Sequence, residues 1–179
     1  MKDMRTSIIA RVDEFDPVTQ LAVLTILAND IASTFESNYF ACKPVQLYDV
    51  PVHFTQFGDY CITGPVTAGD TALVIFTDRG MSHWLIDNRE TYLVEEGFPE
   101  AASRRKFNLE DGFAIVGFNN LATAIPNFNM EGVEIRSKTT TQRIALLADG
   151  SLVISTEGDM LIEAGGRLDI KASTVHINE

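Results

Sequence analysis

From Arg143 onward the chain falls into blocks of eight residues, RIALLADG, SLVISTEG, DMLIEAGG and RLDIKAST. The second position of each block holds Ile144, Leu152, Met160 and Leu168, and the fourth holds Leu146, Ile154, Ile162 and Ile170. The sixth is small throughout (Ala148, Thr156, Ala164, Ala172), and the eighth reads Gly150, Gly158, Gly166 and then Thr174. A fixed period of this kind marks a repeat architecture and constrains the fold before any other feature does. Side chains alternate faces along a strand, so positions two, four and six share one face. Each block therefore reads as a short strand with two large aliphatics and one small residue on its inner side. Glycine at position eight permits the positive φ or close backbone approach that a corner requires.

A single chain of four such strands cannot bury that inner face or pair its own edges. Each inward aliphatic stabilises by about 1.5–3 kcal/mol only when it is removed from water, and open strand edges invite other chains. Three identical chains wound into a prism satisfy both needs, with the small sixth position at the tapered corner. Eight residues are too few for one full coil of a solitary β-helix. The expectation is a homotrimeric, intertwined β-helix over residues 143–179. Its core would be Ile144, Leu146, Leu152, Ile154, Met160, Ile162, Leu168 and Ile170, and its corners Gly150, Gly158 and Gly166.

The preceding residues read as all-β. Ile8 to Val12 and Leu21 to Leu27 predict strands joined by a turn at Asp13-Glu14-Phe15-Asp16-Pro17. Val45 to Phe54 is extended, with Pro51 at an edge or bend. Thr71 to Thr77 is a buried strand that follows turn signals at Thr63-Gly64-Pro65 and Ala68-Gly69-Asp70. Met81 to Ile86 is spaced for a short helical turn, and Phe113 to Phe118 is a further strand. Asn29 to Tyr39 reads as loop with one helical turn, and Pro99 to Arg105 as surface loop. Five or six short strands in this length predict a small barrel over residues 1–122. Residues 123–142, rich in Thr and Asn, read as a connector.

Charge removes some functions. The net charge of −11 opposes nucleic-acid binding, which depends on Lys and Arg displacing counterions from phosphates. The longest apolar run, Leu21 to Ala28, is too short to span a bilayer. No apolar signal core follows Met1-Lys2-Asp3-Met4-Arg5, so synthesis in the cytoplasm is expected. Cys42 and Cys61 lack metal-ligand spacing and read as reduced, half-buried thiols.

Several segments together resemble the central spike proteins of contractile-tailed bacteriophages, above all the short membrane-piercing spikes. They are Asp49-Val50-Pro51-Val52-His53-Phe54, Gly64-Pro65-Val66, Gly69 to Phe76, Ser82-His83-Trp84-Leu85, Arg105 to Gly112 and Ile115-Val116-Gly117-Phe118. The resemblance implies an N-terminal barrel of the oligonucleotide/oligosaccharide-binding (OB) type and a homotrimer in the virion, within the tail baseplate. It further implies contacts with baseplate hub proteins at the barrel end, transient contact with the host outer envelope, and no enzyme activity. Secretion-system spikes of type VI share this plan. Spikes that form their own tip often end in a His-x-His pair that binds iron on the threefold axis. Here Val175-His176-Ile177-Asn178 has Asn where the second His would stand. At roughly 4.8 Å per strand the repeat would advance only about 20 Å, less than the ~30 Å hydrocarbon core of a bilayer. Both departures predict a separate tip protein at the C-terminal end.

Other readings of single residues stand beside this one. His176 occupies position two of a fifth block, where three copies could hold an axial metal through their imidazoles. A slip of register would instead turn Val175 and Ile177 inward. No other cofactor is expected. His53 and His83 lack ligand-spaced neighbours and read as ordinary strand or turn residues. Ser82-His83 lies in no nucleophile elbow, HExxH is absent, and Glu95-Glu96 beside Gly97 reads as a solvated turn. A carbohydrate-binding or depolymerising trimeric fibre is the rival function, although its grooves need a longer repeat. A free oligonucleotide-binding barrel would need a basic groove with stacking aromatics, which the charge does not offer.

Overall fold

The computed structural model describes residues 6–28, 31–33, 39–41, 44–86 and 105–177. The chain divides into two compact units, Met1–Ala122 and Thr123–Glu179. Both are built from β-strands, apart from short helical turns.

The N-terminal unit centres on one curled, five-stranded sheet. Strand β1 (Ser7–Asp16) pairs antiparallel with β2 (Leu21–Ile26), which pairs with β5 (Gln46–Pro51). On its other side β1 pairs with β8 (Thr71–Phe76), and β8 with β9 (Gly112–Val116). The order is β5-β2-β1-β8-β9. The two outer strands approach each other at a parallel bridge between Val52 and Ala114, where the His53 N–H donates to the Ala114 carbonyl at 2.8 Å. That contact curls the sheet around its own apolar face.

Alternation supplies the core. Ala10 and Val12, then Ala22, Leu24 and Ile26, then Ala72, Val74 and Phe76 all point inward. Leu47, Val50, Val52 and Ala114 complete the cluster, and every member is buried. Phe15 and Phe54 meet edge to face at its margin, with centroids 6.1 Å apart. Gly112 sits where a Cβ would press on Val74 and Phe76, so the strand entering from the long β8–β9 connection must begin with glycine.

Asp111 anchors both ends of that connection. It is 1% exposed. Its Oδ1 accepts hydrogen bonds from the Met81 N–H at 3.0 Å and from Arg105 Nη2 at 3.2 Å. Its carbonyl accepts from the Thr77 N–H at 2.9 Å. Among the described residues, its Oδ2 has no hydrogen-bond partner.

Several local expectations need correction. The first turn is not at 13–17: β1 continues to Asp16, and the chain reverses over Pro17 to Gln20. A register shift between Val12 and Glu14 absorbs Asp13 as a bulge. The Asp16 carboxylate then closes the turn, accepting from the Val18 N–H at 2.9 Å and the Thr19 hydroxyl at 2.7 Å. Of the segment expected as loop with one helical turn, the described residues form strands, β3 (Ile31–Ser33) pairing with β4 (Tyr39–Ala41), and residues 34–38 lie outside the described residues. A second small hairpin joins β6 (Thr55–Phe57) to β7 (Tyr60–Ile62) through Gly58, whose φ is 55°. The short helix α1 (Ser82–Ile86) falls where the spacing predicts it. The expected loop at 99–105 and Glu95-Glu96 lie outside the described residues, except Arg105.

In the C-terminal unit, β10 (Gly132–Arg136), β11 (Gln142–Leu147) and β12 (Leu152–Thr156) form an antiparallel sheet in that order. The connector expected over 123–142 therefore contains a strand. The first two octads pair with each other inside one chain, where interchain pairing alone was expected. The turn between them explains this. Gly150 takes φ of 86°, and the Asp149 carboxylate accepts from the Ser151 N–H and hydroxyl at 2.9 and 2.7 Å. Of the three corner glycines, Gly158 and Gly166 stay out of the left-handed region.

A candidate assembly interface

The sheet of the C-terminal unit reverses the usual arrangement of a soluble sheet, in which the apolar face packs on a core and the polar face meets water. Register places Ile135 opposite Ile144 and Ile144 opposite Ile154, and likewise Val133 opposite Leu146 and Leu146 opposite Leu152. These make two cross-strand rows on one face. All six side chains are between 48% and 71% exposed. The intervening positions Glu134, Arg136, Arg143, Ala145, Val153 and Ser155 point the other way and are partly or wholly buried, Ala145 completely.

What covers the second face is the segment before β10. Arg136 pairs with Glu134 and reaches the carbonyls of Pro126 at 2.5 Å and Asn127 at 3.2 Å. Two further carbonyls, of Ser137 and Lys138, accept from its Nη1 at 3.1 and 3.3 Å. A planar guanidinium with several fixed donors suits such a cluster of acceptors. The polar face is thereby folded against its own chain, and the aliphatic face is left bare.

Beyond β12 the pattern continues without strand pairing. Met160, Ile162, Leu168 and Ile170 are between 50% and 69% exposed. Among the described residues, no backbone–backbone hydrogen bond is formed by Asp159 to Ile177. Backbone amides and carbonyls demand partners, whether protein or water. So the eight residues expected to form an inner column exist as one exposed aliphatic series, the first four brought together on a sheet face and the last four on unpaired chain. Sequence reasoning missed Val133 and Ile135. Their signal was the alternation in Gly132-Val133-Glu134-Ile135-Arg136, hidden among neighbouring Thr and Asn residues.

The remaining candidates are scattered. His176 is exposed, and among the described residues no group of three or more His, Cys, Asp or Glu side chains could hold a metal within one chain. His53 is exposed on the curled sheet, and the His83 side chain lies outside the described residues. Cys61 is free and exposed rather than half-buried, because β7 carries it on an exposed hairpin; Cys42 lies outside the described residues. The Ser82 hydroxyl accepts from Arg105 Nη2 at 3.0 Å. The N-terminal unit also has an open cleft of about 1290 Å³, bordered by Gln46, Tyr48, Trp84, Arg105 and Glu110 among others. Tyr48 and Trp84 expose much of their rings there.

Among the described residues, hydrogen bonds from hydroxyl side chains hold the carboxyls of Asp13, Asp16 and Asp149 below the ordinary value. Asp13, at the β1 bulge, accepts from the Thr25 hydroxyl at 2.5 Å and from Arg11 at 2.9 Å. The Thr25 hydrogen bond, helped by Arg11 and Gln46, holds its carboxyl below the ordinary value of 3.8. These bonds fasten the bulge of β1 to β2 within the sheet.

Among the described residues, no helix is long and apolar enough to cross a membrane. No curated protein matches the chain. Residues 8–117, more than half of the chain, match the family model described as the Phage protein Gp138 N-terminal domain, and the chain belongs to that family of phage proteins.

Proposed function

We propose that the protein is the subunit of a homotrimeric central spike in a phage tail baseplate, and that it acts mechanically when the tail contracts. The observation that carries this reading is the C-terminal unit. It turns an uncharged aliphatic face to solvent and continues into octads whose backbone, from Asp159 on, forms no backbone hydrogen bond among the described residues. Association with identical chains supplies both missing partners at once. A monomer rarely exposes a contiguous apolar surface of more than a few hundred Å².

The N-terminal unit supports the same reading. Its strand order β5-β2-β1-β8-β9, with outer strands joined in parallel near Val52 and Ala114, fits an OB-like barrel. Phage family membership favours a virion component over a secretion-system spike. In this reading the N-terminal unit engages hub proteins, the C-terminal unit meets the host envelope, and a separate tip protein caps it. Catalysis and nucleic acid play no part. No cofactor is needed, and an axial metal held by three copies of His176 is compatible with the scheme.

A second reading, a trimeric fibre that binds carbohydrate, is favoured by the cleft bearing exposed Tyr48 and Trp84 beside the Gln46 amide. Light scattering on the purified full chain tests the first step. The spike requires a stable mass three times the 19.8 kDa monomer. A monomer at micromolar concentration would refute it. If the trimer forms, retention on immobilised cell-surface glycan that is lost in Trp84→Ala would favour the fibre.

A further inference from the structure

We infer that β10 belongs to the trimer interface, so that Val133 and Ile135 extend the spike's apolar interior ahead of the octads. This rests on the trimeric reading above but assigns residues and an architecture that the repeat does not contain. The spike would have two stages. In the first, residues 132–156, each chain contributes its own three-stranded sheet, and three such sheets close face to face about the axis. In the second, from Asp159 onward, the strands pair between chains.

Register carries the inference. Ile135 and Val133 are direct cross-strand partners of Ile144 and Leu146, and facing partners share one side of a sheet. If Ile144 and Leu146 point to the axis, Val133 and Ile135 must do so too. The alternative face is closed to a partner, because Arg136 binds it to the carbonyls of Pro126 and Asn127.

The chemistry of the face selects copies of this chain as occupants. Its rows, Ile135–Ile144–Ile154 and Val133–Leu146–Leu152, carry no charge and no hydrogen-bonding side chain. The charged residues of β10 and β11, namely Glu134, Arg136 and Arg143, all lie on the covered side. The polar side chains on this face are the neutral Gln142–Thr156 pair beside the Ile144–Ile154 row, so a charged partner finds no complement on it. Identical faces match one another row for row, and the apolar octads continue the same surface toward Ile170.

Cysteine cross-linking of the full chain tests this, in a background carrying Cys42→Ser and Cys61→Ser. Ile135→Cys should give interchain disulfides on mild oxidation, read as dimer bands on a non-reducing gel. Val153→Cys, on the covered face, should give none. Ile135→Asp should shift the mass in sedimentation from three chains to one. If the parent chain is itself a monomer, the spike reading fails. If the parent is a trimer but Ile135→Cys does not cross-link and Ile135→Asp remains a trimer, the reading stands and the β10 inference is overturned.

Discussion

Ile144 stands directly opposite Ile154 across the β11–β12 pair, and both side chains face solvent within the single chain. Replacing Ile154 with Asp would place three carboxylates in the interior of the proposed trimer, at a penalty of several kcal/mol for each unpaired ion. Ile154→Asp should abolish the trimer in sedimentation while leaving the N-terminal unit folded by circular dichroism. A trimer of unchanged stability would place Ile154 outside the interior.

The boundary between the compact units offers a separate test. The core of Met1–Ala122 is complete within that unit. A fragment of residues 1–122 should therefore fold with a cooperative denaturant transition and run as a monomer. A robust trimer of that fragment would move the assembly element out of the C-terminal unit.

Gly132 lies so close to the Leu146 carbonyl that a Cβ would overlap it. Backbone cannot yield as a flexible side chain can, so Gly132→Ala should destabilise the β10–β11 pair by on the order of 1–3 kcal/mol. The loss should appear as faster amide exchange in β10 and β11, with the N-terminal unit unaffected.

Asp111→Ala removes the acceptor used by the Met81 N–H and Arg105. Leaving the buried Met81 N–H unsatisfied should cost about 1–3 kcal/mol in chemical denaturation. Asp111→Asn should cost less, because it keeps an oxygen toward those donors and replaces only the oxygen that has no partner among the described residues.

Asp13 predicts a pH effect. Its carboxyl is held below 3.8, mainly by the Thr25 hydroxyl. A carboxylate with a depressed folded pKa adds stability above its unfolded value and loses that contribution as pH falls through the folded value. In Thr25→Val the Asp13 pKa should rise toward 3.8, measured by carboxyl NMR titration. Acid unfolding should then begin at a higher pH than in the parent protein. An unchanged Asp13 titration would remove Thr25 as the cause.

Ile144, Leu146, Leu152 and Ile154 were legible because a period of eight repeats the same two positions, and strand alternation assigns them to the one face they share across β11 and β12. The strands at Leu21 to Ile26 and Thr71 to Phe76 were legible for the same reason: their apolar residues alternate toward one core. β10 was not, because five alternating residues among Thr and Asn give a weak local signal until a partner strand stands beside them. The β1 bulge was hidden too, since Pro17 marks a turn nearby without saying which residue closes it. Asp16 does so through its side chain.

By itself, then, the sequence determined the β class, the period of the C-terminal strands and which aliphatics share a face, because these follow from local alternation. Tertiary structure decided what local pattern cannot specify: that the first two octads turn back on each other, that Val133 and Ile135 join their face, and that Arg136 seals the opposite one. Each depends on cross-strand register and on hydrogen bonds between residues distant in the chain, and the single-residue pattern does not encode those pairings.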